Sequence, residues 1–502
     1  MGTAMTPSEI LQRRWGEPWL VAAGADTFWP QLAQWQHQLQ HTQPRDLLLA
    51  EPDPIRLLAA FFAAAQRPCR IWLANPQWGT QEWSQVAAQC QPDLVIGTVP
   101  TAILRSRQQE KNNRQQLQDT SPIPLSSPTS LSPPPSSPAP QLPSSPTTTL
   151  HIPTGGSSGN IQFATHTWET LAASVWGFCR HFDCDRTNAY CLLPLYHVSG
   201  LMQAMRCLLS GGRLVIQPFR ELLAAQDIEP LTDPSFLSLV PTQLQRLLAS
   251  DHDFTPWLRQ FTAILLGGAP PWPSLLQTAR HRQLPLAPTY GMTETASQVA
   301  TLLPQEFLAG HAGSGRSLPH AHLSILDEAG DPLPSQQVGR IAIAASSLAL
   351  TRGATPIPSP LLTGDLGYLD AAGFLHVVGR ETTLIFTGGE KVLPQEVEAA
   401  MLATGLVQDC AVLGVPDTDW GERVVAVITT TEPDPEIRLR SALQAQLSPY
   451  KMPKRWLVRA ELPRNAQGKL NRAALRQWVM SQLGSTAATT GSALASGDGA
   501  DG

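Results

Sequence analysis

Apolar residues fall along this chain in short blocks whose spacing changes from strand-like to helix-like and back. Residues 47–50, 70–73 and 94–97 are compact apolar runs of strand length, while 55–65 and 81–89 carry apolar side chains at helical spacing. That succession predicts a parallel sheet with crossover helices. The pattern breaks between about residues 105 and 149. A Gln-rich charged run, 108–118, leads into Ser and Pro, with ten prolines between 122 and 146. Such a segment buries too little apolar surface to offset its ordering entropy, so it reads as a disordered insertion, a spacer in preference to an SH3-type ligand.

From residue 150 the rhythm resumes, with a helical pattern starting near Thr167, another at 243–249, and strand-like runs at 189–193, 213–216, 236–240 and 263–266. It resets after Gly379. There a helix is expected at 394–402, strands at 409–414 and 424–429, and a helix at 437–447. The expected fold class is α/β: a large N-terminal domain of layered sheets with helices over residues 1–379, then a small α+β domain over 380–483. The Ala/Gly/Ser/Thr-rich residues 484–502 read as a flexible tail.

With 502 residues, 42% apolar and 15% charged, the chain is long enough for at least two cores. A net charge of -5 argues against nucleic acid as the main partner, since phosphate neutralisation needs a basic face. A membrane span is not expected, because no apolar run reaches the roughly 18 residues required. Seven cysteines, an odd number with no CxxC pair, read as reduced thiols of a cytoplasmic protein and not as a disulfide framework or zinc site. Cys184 and Cys191 are reactive candidates, with buried small apolar residues the stronger reading.

The stretch 153–164, Pro-Thr-Gly-Gly-Ser-Ser-Gly-Asn-Ile-Gln-Phe-Ala, reads as a loop between an apolar segment and a helix. Its glycines and hydroxyls suit a nest of N–H groups that cradles an anion. Five further segments concentrate turn and charged residues: Leu-Pro-Leu-Tyr-His-Val-Ser-Gly (193–200), Leu-Gly-Gly-Ala-Pro (266–270), Tyr-Gly-Met-Thr-Glu-Thr-Ala-Ser-Gln (290–298), Thr363 to Asp365 with Gly379-Arg380, and Pro-Arg-Asn-Ala-Gln-Gly-Lys-Leu-Asn-Arg (463–472).

In that order and spacing the chain resembles the adenylate-forming superfamily of acyl-CoA synthetases, over nearly all of residues 47–478 apart from the insertion. The glycine-rich loop with His166 to Trp168, the 193–200 segment and the 290–298 segment are most similar to the branch of 2-succinylbenzoate-CoA ligases of the cyanobacterial and plastid type, which serves phylloquinone and menaquinone synthesis. The resemblance implies an ATP-, Mg²⁺- and coenzyme A-dependent reaction. A carboxylate attacks the α-phosphate of ATP, pyrophosphate leaves, and the CoA thiol then displaces AMP from the acyl-adenylate. Two anions must meet, so the site must supply positive potential and placement.

By the same resemblance, Thr154, Gly155, Gly156, Ser157, Ser158 and Gly159 hold the β- and γ-phosphates. Glu294 ligates Mg²⁺ and Thr293 contacts the α-phosphate. Tyr290, with Gly291 beside it, faces adenine, and Gly268, Ala269 and Pro270 line the base pocket. Asp365 and Arg380 meet the ribose, and Lys469 reaches in from the small domain to neutralise charge at the α-phosphate. His197 lies at the acyl pocket, and Ser199, Ser297 and Gln298 are candidate polar contacts to the acid. A hinge at Thr382 and the loop Gly388-Gly389-Glu390 belong to the CoA half-reaction, so the small domain is expected to act as a mobile cap.

Bland readings stand beside these. Glu294 can be a surface carboxylate, Asp365 a turn residue, Lys469 an exposed lysine and His197 a core histidine. Three positions, in two segments, depart from the family's pattern. Ile161-Gln162 stand where Pro and Lys are usual, removing a cation near the terminal phosphates, and Thr382 replaces a common Asp. Those departures favour an impaired nucleotide-binding regulatory protein as the rival, and another aryl or acyl acid-CoA ligase is the alternative within the class. Loading of a carrier protein is less favoured. The small-molecule partners are the acid, ATP and CoA; homo-oligomerisation is left open.

Overall fold

In the computed structural model the described residues are 5–100, 147–155, 161–226, 228–231, 233–464 and 470–491. Two large sheets carry the N-terminal part. One has seven strands in the order Thr355–Pro356, Thr351–Arg352, Ile161–His166, Thr149–Gly155, Arg70–Leu73, Asp46–Ala50, Leu94–Gly97. Its last four strands are parallel, and it continues antiparallel from Thr149–Gly155 outward. The other has eight strands, Leu20–Val21, Leu214–Ile216, Asn188–Cys191, Ser235–Leu239, Ala263–Leu266, Leu286–Met292, Ser297–Thr301 and Arg316–Ser317, with antiparallel pairing only at the last two steps.

Local sequence explains these elements. Asp46–Ala50 is buried at every position, as a strand covered on both faces must be. The helix Pro54–Ala65 starts where Asp53 accepts the Arg56 N–H at 2.8 Å, with Pro at its first position, and its nearly unbroken apolar sequence sinks it in the core. The helix Trp168–His181 is capped by Thr167. One apolar core joins both sheets: Leu47, Ile71 and Ile152 of the first pack with Ala189, Cys191 and Leu214 of the second around Phe62, Leu201 and Met205.

A four-stranded antiparallel sheet follows, Ala321–Leu326, Gly339–Ala345, Leu361–Leu369 and Leu375–Arg380. The smaller C-terminal domain is built on a five-stranded sheet in which Gly421–Thr429 lies centrally between Asp409–Asp417, Ile385–Thr387 and Arg455–Val458. Its interior, from Ile385 and Val397 to Ile428 and Leu443, draws only on its own residues among those described. The architecture is α/β with a large N-terminal and a smaller C-terminal domain, as the sequence pattern predicts.

Three readings change. The stretch 153–164 is mostly a hairpin and not a loop: Thr149–Gly155 pairs with Ile161–His166 in register from Leu150↔His166 to Gly155↔Ile161. Thr149, placed at the end of the insertion, is already in that strand, and the insertion's residues 105–146 lie outside the described residues. The final helix, Arg472–Gly491, continues past the expected start of the tail at 484, and its sequence contains no proline to break the backbone ladder. Residues 492–502 lie outside the described residues. No helix among the described residues is long and apolar enough to cross a membrane.

Candidate active site

The hairpin brings Thr154, which is buried, to the end of its strand, next to residues 156–160. Its second strand ends at His166, whose Nε2–H donates to the Thr293 carbonyl at 2.8 Å, while Nδ1 faces the Thr170 hydroxyl at 3.0 Å. Burial lowers the His166 pKa to about 4, so the ring is neutral and this tautomer is the one that satisfies both nitrogens. One hydrogen bond therefore ties the glycine-rich hairpin to the turn that carries Glu294.

That turn is a single 3₁₀ turn, Thr293–Thr295, between the strands Leu286–Met292 and Ser297–Thr301. The chain reverses sharply there. Ala296 and Ser297 both have positive φ, 51° and 96°, and a Cβ at Gly291 would lie 2.2 Å from the Ser297 carbonyl oxygen, so only glycine fits. The Thr295 hydroxyl is within hydrogen-bond distance of both the Met292 and Ser297 carbonyls, and its own carbonyl accepts from Ser347 Oγ at 2.9 Å. Glu294 is 8% exposed, and its Oε1 lies 3.6 Å from Nη1 of Arg352, a half-exposed cation on the strand paired with Ile161–His166. A buried hard carboxylate oxygen with one loose cationic partner suits a magnesium ion. No cluster of three His, Cys, Asp or Glu side chains that could hold a metal by themselves occurs among the described residues.

On the other side of this turn, Tyr290 donates its hydroxyl to Asp365 Oδ2 at 2.8 Å, and Arg380 Nε donates to Asp365 Oδ1 at 2.7 Å. Asp365 is 5% exposed and sits directly opposite Arg380 in the antiparallel register. Burial, reinforced by the Asp365 charge, raises the Tyr290 pKa well above its ordinary value. Gly268, Ala269 and Pro270 follow the end of Ala263–Leu266, the strand adjacent to Leu286–Met292, so the expected base-pocket residues flank Tyr290. Tyr290, Asp365, Arg380, Thr293 and Glu294 thus converge, as expected of a nucleotide site at strand ends.

The acid-side residues separate into two places. His197 is the N-cap of the helix Val198–Ser210: its Nδ1 accepts from the Ser199 N–H at 3.3 Å and faces the Ser199 hydroxyl at 2.9 Å. Both side chains therefore serve that helix terminus, which supports the structural reading of His197. Ser297 and Gln298 instead meet Arg206, nine positions on and roughly 13 Å along the helix at 1.5 Å per residue. Arg206 Nη2 donates to Gln298 Oε1 at 2.7 Å and to Ser297 Oγ at 3.0 Å, and the guanidinium lies 4.2 Å from the Phe178 ring centroid.

Arg206 is 3% exposed and has no ion pair among the described residues, and burial lowers its pKa to about 10. Its Nε, Gln298 Nε2 and Gln203 Oε1 are buried without a protein partner. Arg206 was not anticipated; a lone charge inside Leu-Met-Gln-Ala-Met-Arg-Cys-Leu-Leu was the available signal. Arg352 and the bond made by His166 were also missed.

Gly388 and Gly389, with φ 58° and 83°, form the two-residue turn between Ile385–Thr387 and Glu390–Val392, the geometry of a type I′ hairpin. Thr382 sits in an exposed single 3₁₀ turn, Glu381–Thr383, between the four-stranded sheet and the C-terminal domain. Gly156, Ser157, Ser158, Gly159 and Lys469 lie outside the described residues.

The family model described as AMP-binding enzyme matches residues 28–352, and the one for the AMP-binding enzyme C-terminal domain matches 396–469. A 2-succinylbenzoate–CoA ligase of Geobacillus kaustophilus is 34% identical over 339 residues, 65% of this chain and 67% of the relative. The same-named protein of Listeria monocytogenes is 34% identical over 333 residues, 64% of this chain and 68% of the relative. Among solved structures, o-succinylbenzoate CoA synthetase from Bacillus subtilis with its acyl-adenylate intermediate superposes with a TM-score of 0.73 at 23% identity, covering 93% of this chain and 97% of that one. ATP-bound MatB from Rhodopseudomonas palustris gives 0.76 at 21% identity, covering 94% and 99%.

Proposed function

We propose, for a chain that belongs to the AMP-binding enzyme family, the activity of an ATP-dependent 2-succinylbenzoate-CoA ligase, AMP-forming, in the synthesis of phylloquinone or menaquinone. The observation that carries the choice of acid is Arg206. It is a buried, charged guanidinium with no carboxylate partner among the described residues, held by Ser297 and Gln298, three and four residues from Glu294. 2-Succinylbenzoate has two carboxylates. One is activated and the other remains an anion throughout, which is what a fixed, desolvated arginine recognises.

In the first half-reaction, an oxygen of the succinyl carboxylate forms a bond to the α-phosphorus of ATP as the bond to the pyrophosphate oxygen breaks. Thr154 and the backbone of 155–159 hold the departing phosphates, and Thr293 contacts the α-phosphate. Tyr290 covers adenine, flanked by Gly291 and by Gly268, Ala269 and Pro270, while Asp365 and Arg380 accept and donate at the ribose. Glu294 would hold a magnesium ion, which would supply neutralisation of phosphate charge. Arg352 stands beside Glu294 on the strand next to Gln162 and adds positive charge on the side where the usual lysine is missing. Lys469 balances charge at the α-phosphate. In the second half-reaction the CoA sulfur attacks the acyl carbonyl and AMP leaves. The small domain turns about Thr382 to bring Gly388, Gly389 and Glu390 to the site in place of Lys469.

The test is AMP release that requires both ATP and CoA, across a panel of carboxylic acids. The highest kcat/KM is expected with 2-succinylbenzoate, and analogues lacking the ring carboxylate should be much poorer. Equal use of the analogue without that carboxylate would refute the role of Arg206 and favour another aryl acid.

A further inference from the structure

The helix Trp168–His181 ends in a way that places two cysteines against each other. Its C-cap is Phe182, and Asp183 follows with φ 49°, in the left-handed region. The Cys184 N–H then donates back to the Cys179 carbonyl at 3.0 Å. That is the six-to-one bond of a Schellman motif, in which the first residue past the left-handed position and the residue three before the cap bring their side chains into contact. Here those positions are Cys184 and Cys179. Both sulfurs also approach one hydroxyl, Thr187 Oγ1, at 3.8 Å and 3.5 Å. Cys179 is buried and Cys184 is partly open to solvent.

A hydrophobic contact is the usual occupant of this pair of positions, and two thiols satisfy it. They also do something two leucines cannot. The thiols interact directly, and the pair shares its first proton loss: contact with Cys184, then Thr187 and the positive charge of Arg206, bring Cys179 down to about 7, while Cys184 moves up. A thiolate is thus available near neutral pH beside an accessible sulfur.

We propose that Cys179 and Cys184 are a reversible disulfide-forming site, oxidised by exchange with a low-molecular-weight disulfide, and that its redox state tunes Arg206. The Cys179 thiolate takes the proton of Cys184, the more accessible sulfur, as Cys184 Sγ attacks one sulfur of the small disulfide and releases one small thiolate, which in turn takes the proton from Cys179. The Cys179 thiolate then attacks Cys184 Sγ, forming the protein disulfide and releasing the second small thiolate. Two protein thiols lose two electrons and two protons, and the small disulfide becomes two thiols. In the reduced state the Cys179 thiolate is the leading anionic neighbour of Arg206; the disulfide is neutral. Oxidation leaves the guanidinium less compensated, so a carboxylate binds it more tightly.

The full-length protein is treated with oxidised glutathione at pH 8, the remaining thiols are alkylated, and the unreduced digest is mapped by mass spectrometry. The expected result is a Cys179–Cys184 linkage with loss of two hydrogens, reversed by dithiothreitol and absent in Cys184→Ser and in Cys179→Ser. Full alkylation of both residues after oxidation, or a stable mixed disulfide at Cys184 alone, overturns the site. The second part rests on the ligase reading and is measured separately, as KM for the acid at saturating ATP and CoA. Oxidation should lower it by about three- to tenfold, a range corresponding to one nearby charge, without changing KM for ATP. Linkage with no change in acid KM overturns the coupling to Arg206 while leaving the disulfide established.

Discussion

Replacing Arg206 with Met separates the cost of a buried charge from its use. Burial lowers the guanidinium pKa to about 10, which corresponds to about 3 kcal/mol against the charged form. The folded pKa lies below the unfolded one, so this penalty is fully present at every pH below about 10 and is relieved only above it. Methionine removes the penalty. It also removes the hydrogen bonds to Ser297 and Gln298, about 1 kcal/mol each, and the stacking on Phe178, about 1 kcal/mol. These nearly cancel, so the thermal midpoint of the ligand-free protein should move by no more than about 4 °C in either direction. Catalysis should not be spared. An anion that loses its buried cationic partner forfeits about 3–4 kcal/mol, which predicts a fall in kcat/KM for the acid of roughly 10²–10³ with KM for ATP nearly unchanged. Calorimetry without ligands and initial rates with varied acid provide both numbers. A midpoint lowered by about 10 °C together with acid kinetics within about threefold of wild type would refute the argument and make Arg206 a structural cation.

Glu294→Gln should lower adenylate formation by about 100-fold or more and shift its Mg²⁺ dependence to higher concentration, measured as pyrophosphate release; its loose pairing with half-exposed Arg352 predicts a stability change below about 1 kcal/mol. Asp365→Asn keeps the shape of the Tyr290–Arg380 bridge but removes its charge, and should raise KM for ATP by about tenfold or more while leaving that for the acid unchanged. His166 is held neutral with its pKa lowered to about 4, so its contribution is complete above pH 6.5 and is lost as pH falls through 4, about 3 kcal/mol over that window; denaturant unfolding at pH 7 and pH 4 should show a smaller acid loss in His166→Gln. Lys469→Ala should abolish adenylate formation but spare thioester formation from preformed acyl-adenylate in rapid-quench assays, and equal loss of both would overturn the division of labour.

The strands Arg70–Leu73, Leu94–Gly97 and Ala263–Leu266 were legible because each is an unbroken apolar run with a polar residue or glycine at its border; Ala263–Leu266 is buried throughout, and even the partly buried edge strand Leu94–Gly97 keeps that pattern. The hairpin at 149–166 was not, because Pro, Gly and Ser mask pairing that tertiary neighbours supply. The grouping of Tyr290, Thr293, Glu294, Asp365 and Arg380 was legible from motifs, since they lie in short segments dense in turn and charged residues. The surroundings of His197 and Arg206 were not. Whether His197 caps a helix or faces a substrate depends on a rotamer and a backbone turn, and Arg206 stands out only through its burial with no carboxylate partner among the described residues. Arg352 becomes a neighbour of Glu294 through strand pairing across nearly two hundred residues.

The C-terminal domain keeps an interior to which the larger one contributes no described side chain, and the two are joined through one exposed turn at Glu381–Thr383. Beyond that turn, the helix Pro394–Ala403 touches the helix Pro273–His281 and the strand Leu375–Arg380, and neither oily centre reaches across this seam. Reorienting the two bodies about that joint would leave each interior intact and cost only the contacts along the seam.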